Sequence, residues 1–265
     1  MNINGKNILV TGATGGIGTE LCKLLEQRGA RLVLTCYSDE LLKKLQGSLQ
    51  HQHTIVKADI STADGRGTIV RACEQSGGID AAINVAGILD FNLFEKQAEA
   101  TIEKTLNINL VSVMLLCHGL IPLLRRPTEA ALINVGSIFG SIGHPGFAAY
   151  CASKAGVRCF TEALSRELAD TAIHVSYIAP RATARALNSE GVNALNRALG
   201  NKSDTPSYVA AQILNVLEHD RRTRYLGWPE KLFVRVNAIF PGLVDGALIK
   251  KLPTIKQFAN REVTP

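Results

Sequence analysis

The chain has 265 residues, of which 46% are hydrophobic and 20% charged, a composition that favours one large packed α/β domain and argues against disorder. We find no run of roughly eighteen uncharged apolar residues, so we expect no transmembrane helix, and the first residues leave no room for a signal peptide. The net charge of +6 fits anionic ligands, lipid head groups or an ordinary solvated surface equally well. Six cysteines lack metal-ligand spacing, which indicates reduced thiols in a cytoplasm and no metal site.

Short apolar runs alternate with amphipathic segments along most of the chain. The pattern predicts strands at 6–10, 31–35, 53–58, 79–83, 131–135 and 173–178, and helices at 17–28, 39–49, 62–75, 105–124 and 206–217. Strands separated by helices at this spacing require right-handed crossovers. We therefore predict a Rossmann-like, doubly wound parallel sheet with helices on both faces.

A glycine-rich turn, Thr-Gly-Ala-Thr-Gly-Gly-Ile-Gly at 11–18, follows the first predicted strand and opens the first helix. Glycines lack Cβ atoms, so this backbone could turn tightly and approach a ligand. The helix N-terminus would offer free N–H groups to a diphosphate. An ordinary glycine-rich loop is the alternative, but the position after the first strand of an alternating chain favours nucleotide binding.

Four polar residues stand just after predicted strands: Thr11, Asp59, Asn84 and Ser137. The carboxyl ends of parallel strands share one edge of a sheet, and ligands of doubly wound folds bind there. These residues are therefore expected to belong to one site.

Tyr150 and Lys154 are four residues apart, so on a helix both side chains point from one face. An ammonium beside a phenol favours the phenolate, and we expect it to lower the tyrosine pKa toward working pH. Such a tyrosine could exchange a proton with a carbonyl or alcohol oxygen, and the Ser137 hydroxyl could hold that oxygen. A plain surface pair is the alternative, and the glycine-rich turn argues against it.

The chain resembles the short-chain dehydrogenase/reductase family over roughly residues 5–226. The resemblance rests on these motifs in this order: Thr-Gly-x-x-x-Gly-x-Gly at 11–18, Asp59-Ile60, Asn84-x-Ala86-Gly87, Asn109, Ser137 and Tyr150-x-x-x-Lys154. It implies that Tyr150 is the acid/base, that Lys154 lowers its pKa and holds the nicotinamide ribose, and that Ser137 orients the substrate oxygen. It also implies that Asn109 anchors a water that relays protons.

The resemblance further implies that Asp59 touches the adenine and that Asn84 braces the turn at Thr11. The implied cofactor-binding residues are Thr11, Gly12, Thr14, Gly16, Ile17, Gly18, Tyr37, Asp59, Ile60, Asn84, Ala86, Gly87, Tyr150, Lys154, Pro180 and Thr183.

The chain departs from the family pattern after the sixth strand and after the second. Family members usually read Pro-Gly where this chain reads Pro180-Arg181, and Arg185 replaces a family threonine, a role that Thr183 could take. The second strand ends in Cys36 rather than the aspartate that holds the ribose of NAD. The absent carboxylate favours NADP(H), although Tyr37 stands where NADP users often carry arginine, so NAD(H) is the alternative.

We predict a catalytic domain at 1–228 with a lid at about 184–202, and a C-terminal amphipathic extension at 229–265. Pro241-Gly242 should break the extension into two helices. Its apolar and basic residues could pack on the domain, touch a sister subunit or lie on a membrane surface. His144 is expected to border the substrate.

Taken together, the sequence predicts a cytoplasmic oxidoreductase that transfers hydride between NADP(H) and an apolar ketone, aldehyde or secondary alcohol. The expected partners are a small-molecule substrate and further copies of the chain in a homo-dimer or tetramer, with peripheral membrane contact through the extension and no nucleic acid. The alternatives are the same chemistry with NAD(H), or a non-catalytic dinucleotide-binding regulator on the same fold.

Overall fold

The computed structural model describes residues 1–183, 190–219 and 222–259. The strands are β1 (Asn7–Thr11), β2 (Arg31–Cys36), β3 (Thr54–Lys57), β4 (Ala81–Asn84), β5 (Ala130–Val135), β6 (Ile173–Ala179) and β7 (Thr223–Tyr225). The helices are α1 (Gly16–Gln27), α2 (Asp39–Gln46), α3 (Ala63–Gln75), α4 (Glu99–Leu106), α5 (Ser112–Leu124), α6 (Ala148–Glu167), α7 (Glu190–Ala198), α8 (Pro206–His219), α9 (Glu230–Ile239) and α10 (Pro241–Ala259). A π-helical turn, Asn107–Val111, joins α4 to α5.

Within the described residues, the strands form one seven-stranded sheet in the order β3-β2-β1-β4-β5-β6-β7, and every pair is parallel. The prediction of a Rossmann-like, doubly wound sheet is therefore confirmed. The strand order reverses between β1 and β4, and a crevice for ligands opens at such a point. Thr11 pairs with Asn84 in register, and Asn84 with Asn134, so polar side chains line up along this edge.

Apolar layers cover both faces of the sheet. On one face, Leu21 of α1 and Ile213 of α8 share a buried cluster with Ile8 of β1. On the other, Leu120 of α5 lies in a second buried cluster with Leu9. Neighbouring residues of β1 thus face opposite layers, as the two-residue period of a strand requires. Burial on both faces explains why these strands are nearly continuous apolar runs.

The segment Glu99–Leu124 is long and apolar enough to cross a membrane by length and composition, which the sequence analysis overlooked. One face of it serves the core, because Leu116, Leu120 and Leu124 are fully or almost fully buried. The segment comprises α4, the π-helical turn and α5. We therefore interpret it as a core helix that covers one face of the sheet.

The C-terminal extension forms two helices that meet at Pro241, as predicted. Proline is well suited to the first turn of α10, where an N–H group would lack a helical partner. Val234 of α9 and both Ile255 and Ala259 of α10 are buried against the rest of the chain. Of the predicted lid, α7 and the segment that follows it are described, whereas 184–189, including Arg185, lie outside the described residues.

Candidate active site

The glycine-rich turn after β1 is closed against the turn after β4. Gly12 has φ +63°, and a Cβ atom there would lie 2.7 Å from the Cα of Ala86. A Cβ atom on Gly18 would lie 2.2 Å from the carbonyl oxygen of Gly12, so neither position accepts a larger residue. Among the described residues, no side chain caps the first turn of α1, which leaves its N–H groups facing the crevice. This cradle fits a diphosphate.

The contact between the two turns is made by Thr11, not by Asn84. The Thr11 Oγ1 atom accepts hydrogen bonds from the backbone N–H groups of Val85 (3.2 Å) and Ala86 (3.3 Å). The Asn84 side chain instead donates to Asn134 Oδ1 at 2.8 Å beneath the sheet edge. The expected bracing role of Asn84 is therefore corrected, since its amide joins β4 to β5.

The end of β2 presents a thiol where a ribose-binding carboxylate would stand. Cys36 is buried, and its sulfur accepts hydrogen bonds from Thr14 Oγ1 (2.9 Å) and from the backbone N–H of Ser38 (3.5 Å). Tyr37 beside it is exposed. On β3, Lys57 is the register neighbour of Cys36. The site can thus accept an added phosphate without meeting a carboxylate at position 36.

Asp59 and Ile60 follow β3 on the same edge of the sheet, as the sequence indicates. The Asp59 carboxylate is exposed and accepts a hydrogen bond from the backbone N–H of Ser61 at 2.8 Å. Gly87, in the turn after β4, lies next to Lys154, since a Cβ atom on it would stand 3.5 Å from Lys154 Nζ.

Ser137, Tyr150 and Lys154 meet at the centre of this edge. Ser137 follows β5, and the other two residues lie on α6, where both are buried. The Lys154 Nζ atom lies 5.9 Å from the centre of the Tyr150 ring and donates a hydrogen bond to the carbonyl of Val135 at 3.1 Å. The three side chains together can hold an oxygen and move one proton.

The expected lowering of the Tyr150 pKa is not found. Burial raises the pKa of the Tyr150 phenol to about 12, and a hydrogen bond with the Ser137 side chain opposes this only in part. Burial also lowers the pKa of Lys154 from 10.5 to about 8. The loss of water around both groups outweighs their mutual charge effect, so the tyrosine is protonated at neutral pH.

Asn109 lies in the π-helical turn and holds the backbone around the site. Its Oδ1 atom accepts from the N–H of Ile88 at 2.8 Å, and its Nδ2 atom donates to the Ile88 carbonyl (2.8 Å) and to Ser153 Oγ (3.1 Å). Ser153 in turn donates to the carbonyl oxygen of Tyr150 at 2.7 Å. The Asn109 amide is thus committed to protein partners, and π turns commonly occur at functional sites.

Sequence analysis missed Tyr177, which fixes the position of Ser137. Its hydroxyl donates to the Ser137 carbonyl (3.1 Å) and accepts from the Ser137 N–H (3.3 Å). A Cβ atom on Gly136 would lie 2.2 Å from the Tyr177 ring, so the glycine makes room for it. A tyrosine inside a predicted strand gives no signal of this role, because the contact spans 40 residues of sequence.

Above the three residues lies a cavity of about 640 Å³. Its walls come from the catalytic edge, from α7 and from the two C-terminal helices. Its apolar lining includes Phe139, Phe147, Val192, Leu195, Phe233 and Leu243. His144 also lines it, as predicted, and its ring stacks on Phe139 with centroids 4.9 Å apart. Burial lowers the pKa of His144, and the nearby Lys251 charge acts in the same direction, so the imidazole is uncharged at neutral pH.

Pro180 and Thr183 line the same cavity, and Arg181 between them joins three elements. The Arg181 guanidinium lies 2.7 Å from Asp204 and 3.3 Å from Glu230 of α9. Where family members carry a glycine, this chain therefore places an arginine that ties β6 to its own C-terminal helices.

A parallel sheet with a diphosphate cradle and a Ser–Tyr–Lys group at one edge is the arrangement of a dinucleotide-dependent oxidoreductase. The family model for short-chain dehydrogenases matches residues 6–195, and the chain belongs to this family.

Several relatives and solved structures resemble this chain. The 3-oxoacyl-(acyl-carrier-protein) reductase FabG of Vibrio cholerae is 32% identical over 68% of this chain and 74% of its own. The FabG of Rickettsia prowazekii is 31% identical over 68% of this chain and 73% of its own. A short-chain dehydrogenase/reductase from Burkholderia phymatum, solved in complex with NAD, has a TM-score of 0.82 at 20% identity and covers 92% of this chain and 96% of its own. The structural likeness supports the fold.

Proposed function

We propose that this oxidoreductase transfers hydride between NADP(H) and an apolar ketone, aldehyde or secondary alcohol. The observation that carries the proposal is the group of half-buried Ser137 with buried Tyr150 and Lys154, which lines a largely apolar cavity. When bound, the nicotinamide supplies the hydride or accepts it. The chain itself contributes position, one proton and a site that limits water.

Each of the three residues has a distinct role in this proposal. Tyr150 gives its phenolic proton to the substrate oxygen during reduction and takes it back during oxidation. Ser137 donates its hydroxyl hydrogen to the same oxygen and holds it beside Tyr150. Lys154, fixed on the carbonyl of Val135, holds the nicotinamide ribose. Asn109 supports the backbone behind them through Ile88 and Ser153.

With its raised pKa, the Tyr150 phenol is protonated at neutral pH, which is the form that acts as an acid in reduction. The same residue would act as the base in oxidation, so both directions use one site. A ketone is the substrate form for the reductive direction. The names of the bacterial relatives support a 3-oxoacyl group within this class.

For the cofactor, Gly12, Gly16 and Gly18 would surround the diphosphate, and Thr14 and Tyr37 would border the adenosine ribose. We assign NADP(H) because Cys36 offers no carboxylate to the ribose hydroxyls and Lys57 stands beside it. NAD(H) is the alternative. Asp59, Ile60 and Ala86 would contact the adenine side, and Pro180 and Thr183 the nicotinamide side.

We further infer a catalytic domain at 1–228, a lid at 184–202 and an extension at 229–265 that walls the cavity.

Free cysteines, five of them buried, suit a cytoplasmic enzyme. Exposed apolar residues on α5, including Met114 and Leu115, suit a homo-dimer or tetramer. The exposed apolar surface of the extension suits peripheral membrane contact.

The test is a panel of carbonyl compounds of increasing chain length, each supplied with NADPH or NADH, with cofactor absorbance as the readout. We expect oxidation of NADPH that increases with the apolar size of the ketone until the cavity is filled. Absence of cofactor oxidation with every compound, in a chain that binds NADPH, would favour a non-catalytic regulator instead.

A further inference from the structure

The C-terminal hairpin, which we define as α9 and α10 with residues Glu230–Ala259, exposes an unusual amount of apolar surface. Of the fifteen exposed large apolar residues in the described parts of the chain, seven lie between positions 228 and 249. They are Trp228, Leu232, Phe233, Ile239, Phe240, Leu243 and Ile249. Such a concentration in 22 residues is a patch rather than normal scatter, and patches of this kind mark interaction sites.

The exposed apolar side chains of α9 share one face. Leu232, Phe233 and Ile239, with Phe240 just after the helix, recur at the spacing of helical turns, and half-buried Val236 lies between them. The opposite side of α9 is held by the domain, since Val234 is buried and Asn237 donates to the Ser141 carbonyl at 3.0 Å. The helix is thus anchored on its inner side and apolar on its outer side.

The apolar patch is continuous with the cavity. Phe233 and Leu243 are both exposed to solvent and part of the cavity lining, so they stand at its mouth. Val236 and Leu248 continue the lining inward from the same two helices. An apolar molecule that enters between Phe233 and Leu243 would meet the apolar side chains of Val236 and Leu248 next.

Basic residues alternate with the apolar ones along the hairpin sequence. The hairpin carries Lys231, Arg235, Lys250, Lys251 and Lys256 against Glu230 and Asp245, a net charge of +3. Glu230 is already paired with Arg181. The Lys231 Nζ atom lies 5.5 Å from the centre of the Trp228 ring, a pairing of cation and aromatic ring that suits a boundary between water and an apolar phase. In such an arrangement the apolar residues complement the acyl-chain interior of a bilayer, and the flanking lysine and arginine residues complement its anionic head groups.

We propose that the C-terminal hairpin docks on an anionic phospholipid bilayer and that the cavity takes its carbonyl substrate from the lipid phase, past Phe233 and Leu243. The second half of this proposal rests on the proposed reductase function. A second copy of the chain fits the patch less well. In a symmetric dimer the basic residues of one hairpin would face those of the other.

Docking is tested with the full chain and vesicles of phosphatidylcholine, with or without phosphatidylglycerol, in a flotation assay. The matched variants are Phe240→Ser and Phe94→Ser, whose side chains are 60% and 62% exposed and do not line the cavity. We expect Phe240→Ser to lower partition into anionic vesicles by roughly tenfold or more, since burial of a phenyl group contributes that much, and Phe94→Ser to leave it unchanged. Lys250→Gln should lower partition into anionic vesicles about fivefold and leave partition into phosphatidylcholine vesicles unchanged.

Two results would overturn docking. One is failure of the parent chain to float with anionic vesicles. The other is a change of sedimentation mass in Phe240→Ser with unchanged vesicle partition, because the patch would then be covered by a second copy.

Substrate delivery is tested by reduction of a long-chain methyl ketone dissolved in the vesicles and of a water-soluble acetoacetate ester. We expect Phe240→Ser to slow reduction of the vesicle-borne ketone by roughly tenfold and to leave the soluble ester unaffected. Equal rates for Phe240→Ser and the parent on the vesicle-borne ketone would show that the hairpin does not deliver substrate. Reduction of neither compound by a chain that does float with vesicles would sink the proposed function while leaving docking intact.

Discussion

At the scale of single residues, burial sets the protonation of the catalytic pair. Tyr150 and Lys154 both lose water inside the domain, and each is driven toward its neutral form. The phenol therefore keeps its proton at neutral pH, and the amine, with a pKa of about 8, is still mostly protonated there. A buried amine with a pKa of about 8 lowers the stability of the fold, and a functional role would explain its presence there.

We predict that Lys154→Met makes the protein more stable near neutral pH while reducing activity. The folded-state pKa of Lys154 is about 8 against 10.5 in the unfolded chain, so the cost of burying the charge is fully present below pH 8. This cost is on the order of 3 kcal/mol, and loss of the hydrogen bond to Val135 offsets about 1 kcal/mol of the gain. Urea unfolding of parent and variant measures the difference.

The pH dependence of that difference is the sharper test. As pH rises from about 8 to about 10.5, Lys154 of the parent loses its proton and the free-energy cost of burying its charge disappears. The stability advantage of Lys154→Met should therefore shrink across this window. The control is Lys23→Met, in which the lysine is partly exposed and forms an ion pair with Glu20. A difference that is constant from neutral pH to about pH 10 would contradict the assigned pKa.

A second prediction concerns the cofactor. Cys36→Asp places a carboxylate at the end of β2, where it would bond the ribose hydroxyls of NAD and repel an added phosphate. We expect the ratio of the dissociation constants for NADPH and NADH to shift toward NADH by at least about tenfold, measured by calorimetry. Cys36→Asn, which has the shape of aspartate without its charge, should shift it far less. Tighter binding of NADH than NADPH by the parent chain would reverse our assignment.

The residues of the site were predictable from the sequence to different degrees. Ser137, Tyr150 and Lys154 fall at fixed distances from predicted elements, so local spacing was enough to place them on one edge. The supporting contacts of Tyr177 and Asn134 join strands that are remote in sequence, and no local pattern announces them. The pKa shift of Tyr150 was predicted with the wrong sign because burial, unlike helical spacing, is a property of the whole fold.

At the scale of elements, the ion pairs of Arg181 bind β6 to two neighbours. Asp204 is buried, and its Oδ2 atom has no hydrogen-bond partner within the described part of the chain. The Asp204 carboxylate therefore depends on Arg181 for its compensation. Glu230 is less buried and joins α9 to the same guanidinium.

We predict that Arg181→Gln lowers the free energy of unfolding by about 3 kcal/mol, since it leaves a buried carboxylate without its counter-charge. Adding Asp204→Asn to this variant should restore most of the loss. Glu230→Gln alone should cost less than about 1 kcal/mol, because that carboxylate is partly exposed to solvent. Equal losses of unfolding free energy for Arg181→Gln and Glu230→Gln would contradict the claim that Arg181 stabilises the fold mainly by compensating the buried Asp204 carboxylate.

Most helices and strands could be predicted from periodicity, with boundaries that moved by a few residues. The strand at Thr223–Tyr225 was missed because three residues are too few to show alternation. The break in the C-terminal extension was predicted correctly, since proline and glycine act locally. The apolar helix at 105–124 was predicted within the segment Glu99–Leu124, and only the fold shows that its buried face belongs to the core.

At the scale of the whole molecule, the chain combines the part that the family model matches with a cavity wall built from its C-terminal helices. The family model ends at residue 195, and the two C-terminal helices lie beyond it. The sheet edge gathers the diphosphate cradle and the proton-transferring group in one crevice. The hairpin then closes the cavity with apolar side chains, which is where we expect substrate preference to be set.

The most direct test of the proposed chemistry is Tyr150→Phe, assayed by oxidation of NADPH with the best ketone of the panel. Because only the transferable proton is lost, we expect kcat to fall by about a hundred- to ten-thousandfold, with an unchanged fold and an NADPH dissociation constant within about twofold of the parent value. The control is Tyr225→Phe, whose hydroxyl hydrogen-bonds Ser141 outside the catalytic group, and it should retain activity. Turnover of Tyr150→Phe close to the parent rate would contradict the assignment of Tyr150 as the acid.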